Sequence, residues 1–303
     1  MGDIERAFFK VYLRADMEFG AVAASLVGAV GDGPLGVSLT PTPAWLEDAL
    51  ERVYAAGYTQ AWENASAVVL AALRRAGGSL WRTTVLSAET DATAALVSHE
   101  VSIGLDVPEE AIAEYQGRRI PPLVRVYGTQ RKKIAAKMVA DVAAEGGTLR
   151  DMQSKLRTQF PAFSSFRSRN VARTESSHLY NRGALDRYRS SGAVVGMRFL
   201  AIVDDRTTEI CVWHDGQEYR LEDAGLPVPP LHFMCRSTTV PILFNERPDW
   251  QTEPAPEGSQ PLKGFGHHRS VVPNVTPEQM FAAVREKAPA GAAELLRKAA
   301  ELT

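Results

Sequence analysis

The hydrophobic period of this chain changes near Gly192, and that change limits what it can fold into. Before Gly192 apolar residues recur at spacings of three and four, whereas after it they alternate. The first pattern lines one face of a helix and the second the faces of a strand, so helices come first and a sheet follows. An N-terminal helix is predicted from about Ile4, then a loop from Gly31 to Pro43. Thr42 and Pro43 cap the next helix, whose stripes are Leu46, Leu50, Val53 and Ala61 on one side and Tyr54, Tyr58 and Trp62 beside it. Two stripes predict neighbours on two sides, and Gly77-Gly78 ends the pattern.

Residues 101–128 are less regular, with Pro108, Pro121, Pro122 and Gly128 as breaks. From Thr129 a helix is carried by Ile134, Met138 and Val142 and ends at Gly146-Gly147. Thr148 and Asp151 form a capping box for the next helix, whose apolar side is Leu149, Met152 and Leu156. Pro161 predicts a break, followed by a long helix from about Ser165 to Ser190. Its seam is Val171, Thr174, His178, Asn181, Leu185 and Tyr188, half of it polar. Buried polar groups need partners, so Thr174, His178 and Asn181 are expected to meet a polar loop.

Beyond Gly192, Val195–Val203 reads as a strand, Asp215-Gly216 as a hairpin turn before 217–221, and 238–244 as a strand whose Pro241 suits an edge. Residues 245–273 read as a linker, and Thr276-Pro277-Glu278-Gln279 as a capping box opening a short helical tail. The expected fold is mainly α with a small α+β C-terminal part, long helices packed beside a short antiparallel sheet. The expected domains are 1–117, 118–244 and 245–303.

Composition adds the charge pattern. The net charge of −2 conceals three blocks: residues 1–117 carry −9, residues 118–189 carry +11 and residues 190–303 carry −4. A basic middle can meet phosphate or an acidic protein surface, and Arg131, Lys132, Lys133, Lys137, Arg150, Lys155, Arg157, Arg167 and Arg169 are its candidate contacts with DNA or a protein partner. The same residues also fit solvated helices that pair with the acidic N-terminal region. Ala21–Val30 is far shorter than the roughly 20 residues of a membrane span, so no membrane association is expected. Two cysteines cannot make a disulfide framework, which favours a reducing compartment.

Those cysteines lie in Cys211-Val212-Trp213-His214 and His232-Phe233-Met234-Cys235. The pattern C-x2-H…H-x2-C offers four soft or borderline ligands, the number that closes a tetrahedral structural zinc site. Plain packing of two small apolar cysteines is the competing reading. Glu209 and Asp215 are the nearby carboxylates for a zinc-assisted hydrolase, but no G-x-S-x-G elbow, phosphate loop or H-E-x-x-H pattern is present, and no catalytic residue is assigned.

One further set of residues follows a fixed order: Val171-Ala172-Arg173-Thr174-Glu175, Asn181-Arg182-Gly183, Tyr188, Asp204-Asp205-Arg206-Thr207, Cys211, Asp215-Gly216 and Pro229-Pro230-Leu231-His232-Phe233-Met234-Cys235-Arg236-Ser237. This order resembles the phage Mu F-like minor head protein, or head morphogenesis, family over about residues 125–243. The resemblance implies a virion component of a tailed phage, made in the host cytoplasm and placed in the capsid interior near the portal. It implies the portal protein, the major capsid or scaffolding protein and packaged double-stranded DNA as partners, with roles in head assembly and DNA delivery. Arg173, Thr174, Glu175, His178, Asn181, Asp204, Arg206, Thr207, Asp215 and Gly216 become structural motif residues. Arg173 and Glu175 are expected to pair with Asp204 or Arg206. Relatives carry further cysteines near the D-x-R-T turn and end in Cys-Arg-Cys; Thr208 and Ser237 stand here, with His214 as the substitute ligand. A zinc-assisted nuclease or toxin effector and a helix-turn-helix DNA-binding protein using residues 129–158 are the competing functions.

Overall fold

Helix α1 (Asp3–Val30) buries Phe8, Tyr12, Ala15, Phe19, Ala23 and Val27, a stripe spaced by three and four. The computed structural model describes residues 2–30, 37–80, 107–223, 225–263, 265–266 and 274–279. Helix α2 (Leu46–Leu80) starts a turn later than the Thr42-Pro43 cap predicts, because a turn intervenes in which the Leu46 N–H donates to the Pro43 carbonyl at 3.1 Å. It also runs through Gly77-Gly78. Glycine weakens a helix interior by only about 1 kcal/mol per residue, which its neighbours can offset. Both predicted stripes are used: Leu46, Leu50, Tyr54, Tyr58, Ala61 and Trp62 are all buried, while Val53 is half-buried.

Helix α3 (Glu109–Ala144) contains Pro121 and Pro122, so the breaks predicted over 101–128 are absent from 109 onward. Each proline removes one helical N–H donor, a loss local enough for the turns on either side to continue. Gly128 marks close packing: a Cβ there would lie 2.3 Å from Thr42 Oγ1. The predicted stop holds, with Gly146 at φ +76° and the Gly147 N–H on the Val142 carbonyl at 2.9 Å. The Thr148 capping box then forms reciprocally, its N–H reaching Asp151 Oδ2 at 2.8 Å and the Asp151 N–H reaching Thr148 Oγ1 at 3.3 Å. Helix α4 (Leu149–Ser191) continues through Pro161, so the two predicted helices are one.

Contacts divide the chain into two units, 1–57 with 112–176 and 58–111 with 177–303. The boundaries read at 117 and 244 do not coincide with this division, because α2 and α4 each supply residues to both units. In the first unit the core joins Phe19, Ala23 and Val27 of α1 to Ala135 and Val139 of α3 and Leu156 and Phe160 of α4. The packing of α3 on α4 across Gly146-Gly147 is that of a helical hairpin between elements of 36 and 43 residues. A compact helix-turn-helix reader uses far shorter helices.

The second unit holds a three-stranded antiparallel sheet, β1 (Val194–Leu200) flanked by β2 (Glu218–Arg220) and β3 (Thr238–Leu243). Its core gathers Val69 of α2, Leu185 and Tyr188 of α4, Met197 and Phe199 of β1, and Leu221, Val228 and Leu231 from the loops. Met197 faces Tyr219 on one side and Pro241 on the other, and Pro241 lies on an edge strand as expected. β1 ends at Leu200, short of the predicted Val203. The chain leaves the sheet there, with the Ala201 N–H on Asp215 Oδ1 at 2.7 Å, and Ile202 and Val203 are exposed.

Two predictions beyond the sheet are corrected. Asp215-Gly216 is not a two-residue hairpin but the exit from a short helix, α5 (Glu209–His214). The described part of 245–273 is not a free linker. The Asp249 N–H donates to Glu218 Oε2 at 2.6 Å, the Gln251 N–H to the Glu218 carbonyl at 2.8 Å and the Leu262 N–H to the Leu231 carbonyl at 3.0 Å. The Thr276–Gln279 box forms through Thr276 N–H to Gln279 Oε1 at 2.9 Å; the helical tail beyond it lies outside the described residues.

Candidate functional site

The Cys/His constellation assembles from two segments of the second unit. Cys211 lies in the middle of α5, while His232 and Cys235 lie on the turn that precedes β3. That turn is closed by Met234, a non-glycine residue at φ +60°, a left-handed conformation that L-residues adopt at a cost. With Met234 so placed, His232 and Cys235 meet Cys211: Nε2 of His232 is 3.1 Å from the Cys211 sulfur, and the two sulfurs are 3.6 Å apart. All three ligand atoms lie within 4.8 Å of one another.

Protonation ties these groups together. Hydrogen bonds from Cys211 and His232 hold the Cys235 thiol well below its usual range, against the effect of burial. The hydrogen bond shared with Cys235, together with burial, pushes Cys211 up, and the hydrogen bond with Cys235 raises His232. Nδ1 of His232 is 2.7 Å from the Phe233 carbonyl. A carbonyl oxygen only accepts, so Nδ1 carries the hydrogen and Nε2 faces the sulfurs.

His214, read as the fourth ligand, is not in this cluster. Its Nδ1 is 2.6 Å from the Tyr219 hydroxyl and its ring packs on Phe199 at 5.3 Å between centroids. Although Cys211 and His214 are three apart on α5, the imidazole is committed to the β2 side. There it borders a cleft of about 670 Å³ lined by Trp213, Tyr219 and Trp250 among others. Burial pushes its pKa down to about 4.

The D-x-R-T turn is closed by its own side chains and by Arg236. Nη1 of Arg236 donates to Asp204 Oδ2 at 2.7 Å, and Nη2 reaches Asp204 Oδ1 and Thr207 Oγ1, the latter at 3.2 Å. The Arg206 N–H donates to Asp204 Oδ1 at 3.0 Å, and the Thr207 hydroxyl donates to the Ile202 carbonyl at 2.6 Å. The expected partners for Asp204 and Arg206 were Arg173 and Glu175. Arg236 takes Asp204 instead, while Glu175 pairs within the first unit with Arg119, at 2.6 Å between Nη2 and Oε1, and with the Tyr54 hydroxyl. Arg236 stands in the P-P-x-H-x-x-C-R run, where the spacing alone gives it no role. Its i+1 position after a ligand cysteine was the available signal.

The polar seam of α4 is buried as predicted, by different routes. Thr174 Oγ1 donates to the Asn170 carbonyl of its own helix at 2.8 Å. Asn181 Nδ2 donates to the Ser177 carbonyl at 2.9 Å and, more weakly, to the Ser237 carbonyl of the turn at 3.5 Å; His178 is buried in the same unit. Asp215 accepts from the Ala201 N–H at 2.7 Å, and Gly216, at φ +79°, donates its N–H to the Phe199 carbonyl at 2.9 Å.

The basic residues separate into two groups. Arg131 is not a contact residue: it is buried, with Nε on Asp16 Oδ1 at 2.7 Å and its guanidinium over the Tyr127 ring. Lys133, Lys137, Arg150, Arg157, Arg167 and Arg169 are exposed, and Lys132 and Lys155 are half-buried. Lys137 also pairs with Asp141 at 3.1 Å.

Long helices leading into a small three-stranded antiparallel sheet define a mainly helical protein. Residues 132–240 match the family described as Phage Mu protein F like protein. This segment, about a third of the chain, is similar to that family. No curated protein and no solved structure matches the chain. The likeness points to a structural role in phage head morphogenesis. Among the described residues, no helix is long and apolar enough to cross a membrane.

Proposed function

We propose that this protein is a minor capsid protein of a tailed phage that binds the portal and the capsid interior and aids head assembly and genome packaging or delivery. The match over residues 132–240 carries the reading. The matched segment includes the Asp204–Arg236 contact and the Cys211/His232/Cys235 cluster, both of which organise loops.

The exposed bases Lys133, Lys137, Arg150, Arg157, Arg167 and Arg169 supply charge for contact with packaged DNA or an acidic portal surface. Phosphate contacts of this kind weaken steeply as salt rises and carry no base specificity.

Co-expression with the cognate portal protein tests the proposal. Portal rings purified by size exclusion and imaged by cryo-electron microscopy should carry additional density and retain the chain through the column. Rings that never retain it at low salt would sink the reading.

A further inference from the structure

We propose that Cys211, His232 and Cys235 together bind one zinc ion, with a water in the fourth position, and that the ion fastens α5 to the turn before β3. Three observations lead there. A tetrahedral ion with bonds of about 2.3 Å to sulfur and 2.0–2.1 Å to nitrogen places two sulfurs about 3.8 Å apart and a sulfur and a nitrogen about 3.6 Å apart. The two sulfurs are 3.6 Å apart and the Cys211–His232 distance is 3.1 Å, so small side-chain adjustments suffice to admit the ion.

Second, the histidine already has the arrangement of a metal ligand. Nδ1 is held by the Phe233 carbonyl at 2.7 Å, which fixes the ring and presents Nε2 to the sulfurs. Third, the turn that brings His232 and Cys235 together passes through Met234 at φ +60°, a backbone cost that packing of two small thiols does not require.

The ligand set differs from the four-ligand knuckle that the sequence spacing proposes. His214 is bonded to Tyr219 at 2.6 Å, and among the described residues no further Cys, His, Asp or Glu joins the cluster. The hydroxyls of Thr208 and Ser237 lie near the Cys211 sulfur, polar neighbours suited to a bound water. Binding displaces the protons shared by the trio, so affinity falls in acid.

The test uses the full chain, reduced, stripped with a chelator and titrated with Zn²⁺ and separately with Co²⁺. The expected result is one ion per chain, a thiolate-to-cobalt charge-transfer band, a raised melting temperature and protection of both thiols from alkylation. His232→Ala should weaken zinc at least about 100-fold, since changes even outside the ligand shell cost 10- to 100-fold. Cys211→Ser and Cys235→Ser should each abolish the cobalt band, while His214→Gln should keep full stoichiometry. Loss of the ion in folded His214→Gln would overturn the three-ligand site. Freely alkylated thiols, or a Cys211–Cys235 disulfide, in wild-type protein saturated with zinc would overturn metal binding altogether, and neither readout depends on a variant folding.

Discussion

The helical first unit and the turns beside the sheet of the second handle polar groups in opposite ways. In the first, carboxylates are fully buried and met by side chains from distant helices. Asp16 of α1 accepts from Tyr127 and Arg131 of α3, at 2.9 and 2.7 Å, and from Ser168 of α4 at 2.5 Å. At the turns beside the sheet, the motif carboxylate Asp204 is solvent-facing and is held by the Arg206 N–H and the side chains of Arg236, Arg206 and Thr207, whereas the helical part of the second unit also buries an ion pair, Arg182 with Asp186 at 2.6 Å. Buried charges tie three helices together, since parting any of them leaves a buried group without its partner. Ties between turns fix only the local course of the chain.

The largest expected effect therefore lies in the helices. Asp16→Ala leaves Arg131 charged, buried and without its carboxylate, and loss of one partner of a buried pair costs about 3–5 kcal/mol. Urea denaturation should show the lower midpoint, and an Asp16→Ala chain within 1 kcal/mol of wild type, about the worth of an exposed pair, would break the contrast. Next is Gly196→Ala in β1. A Cβ there would lie 2.4 Å from the Trp250 ring and 2.7 Å from the Tyr219 carbonyl, so the 249–251 segment must move off the sheet. Such overpacking costs about 1–3 kcal/mol, to be read by the same denaturation, with fluorescence of Trp250 reporting the displacement.

His214 sharpens the comparison through pH. Its folded pKa of about 4 lies below an unfolded value of about 6.5, so folding favours the neutral ring. The associated stability is fully present above pH about 6.5 and is lost as pH falls toward about 4. His214→Phe should flatten the melting-temperature profile across that window. A slope unchanged by the substitution would remove the burial argument.

Most of the helical architecture was legible because a stripe such as Phe8, Tyr12, Ala15, Phe19 and Ala23 leaves one face to bury. Helix ends were legible where the chemistry was local, as in the Thr148–Asp151 box and Gly146. Pro121, Pro122, Pro161 and Gly77-Gly78 misled because a local cost of about 3 kcal/mol for a proline and about 1 kcal/mol for a glycine is outweighed by tertiary packing along helices of 35 to 43 residues. In the site, Cys211, His232 and Cys235 were legible from spacing. The exclusion of His214 was not, since spacing of three on α5 cannot tell which of two neighbours a ring will face. The Arg131–Asp16 pairing was equally hidden: 115 residues separate the partners, and a basic residue in a basic block looks like a surface charge.

The smallest expected effect is at the D-x-R-T turn. Arg236 makes two contacts to Asp204, with further support from Arg206 and Thr207, and this holds the Asp204 carboxyl well below the usual carboxylate range, chiefly through Arg236. The sign follows: the contribution is present above pH about 3.9, the unfolded carboxyl value, and fades as pH falls below it. Because Asp204 faces solvent, water and salt screen the attraction, and exposed pairs of this kind contribute little. Arg236→Gln should lower the melting temperature slightly in low salt, with the difference shrinking as salt rises, and Arg236→Lys should recover part of it. Calorimetry at two salt concentrations checks this. A loss as large as that of Asp16→Ala, and indifferent to salt, would mean that the turn bears on the fold as heavily as the buried helix pairs do, and the contrast between helices and turns would fail.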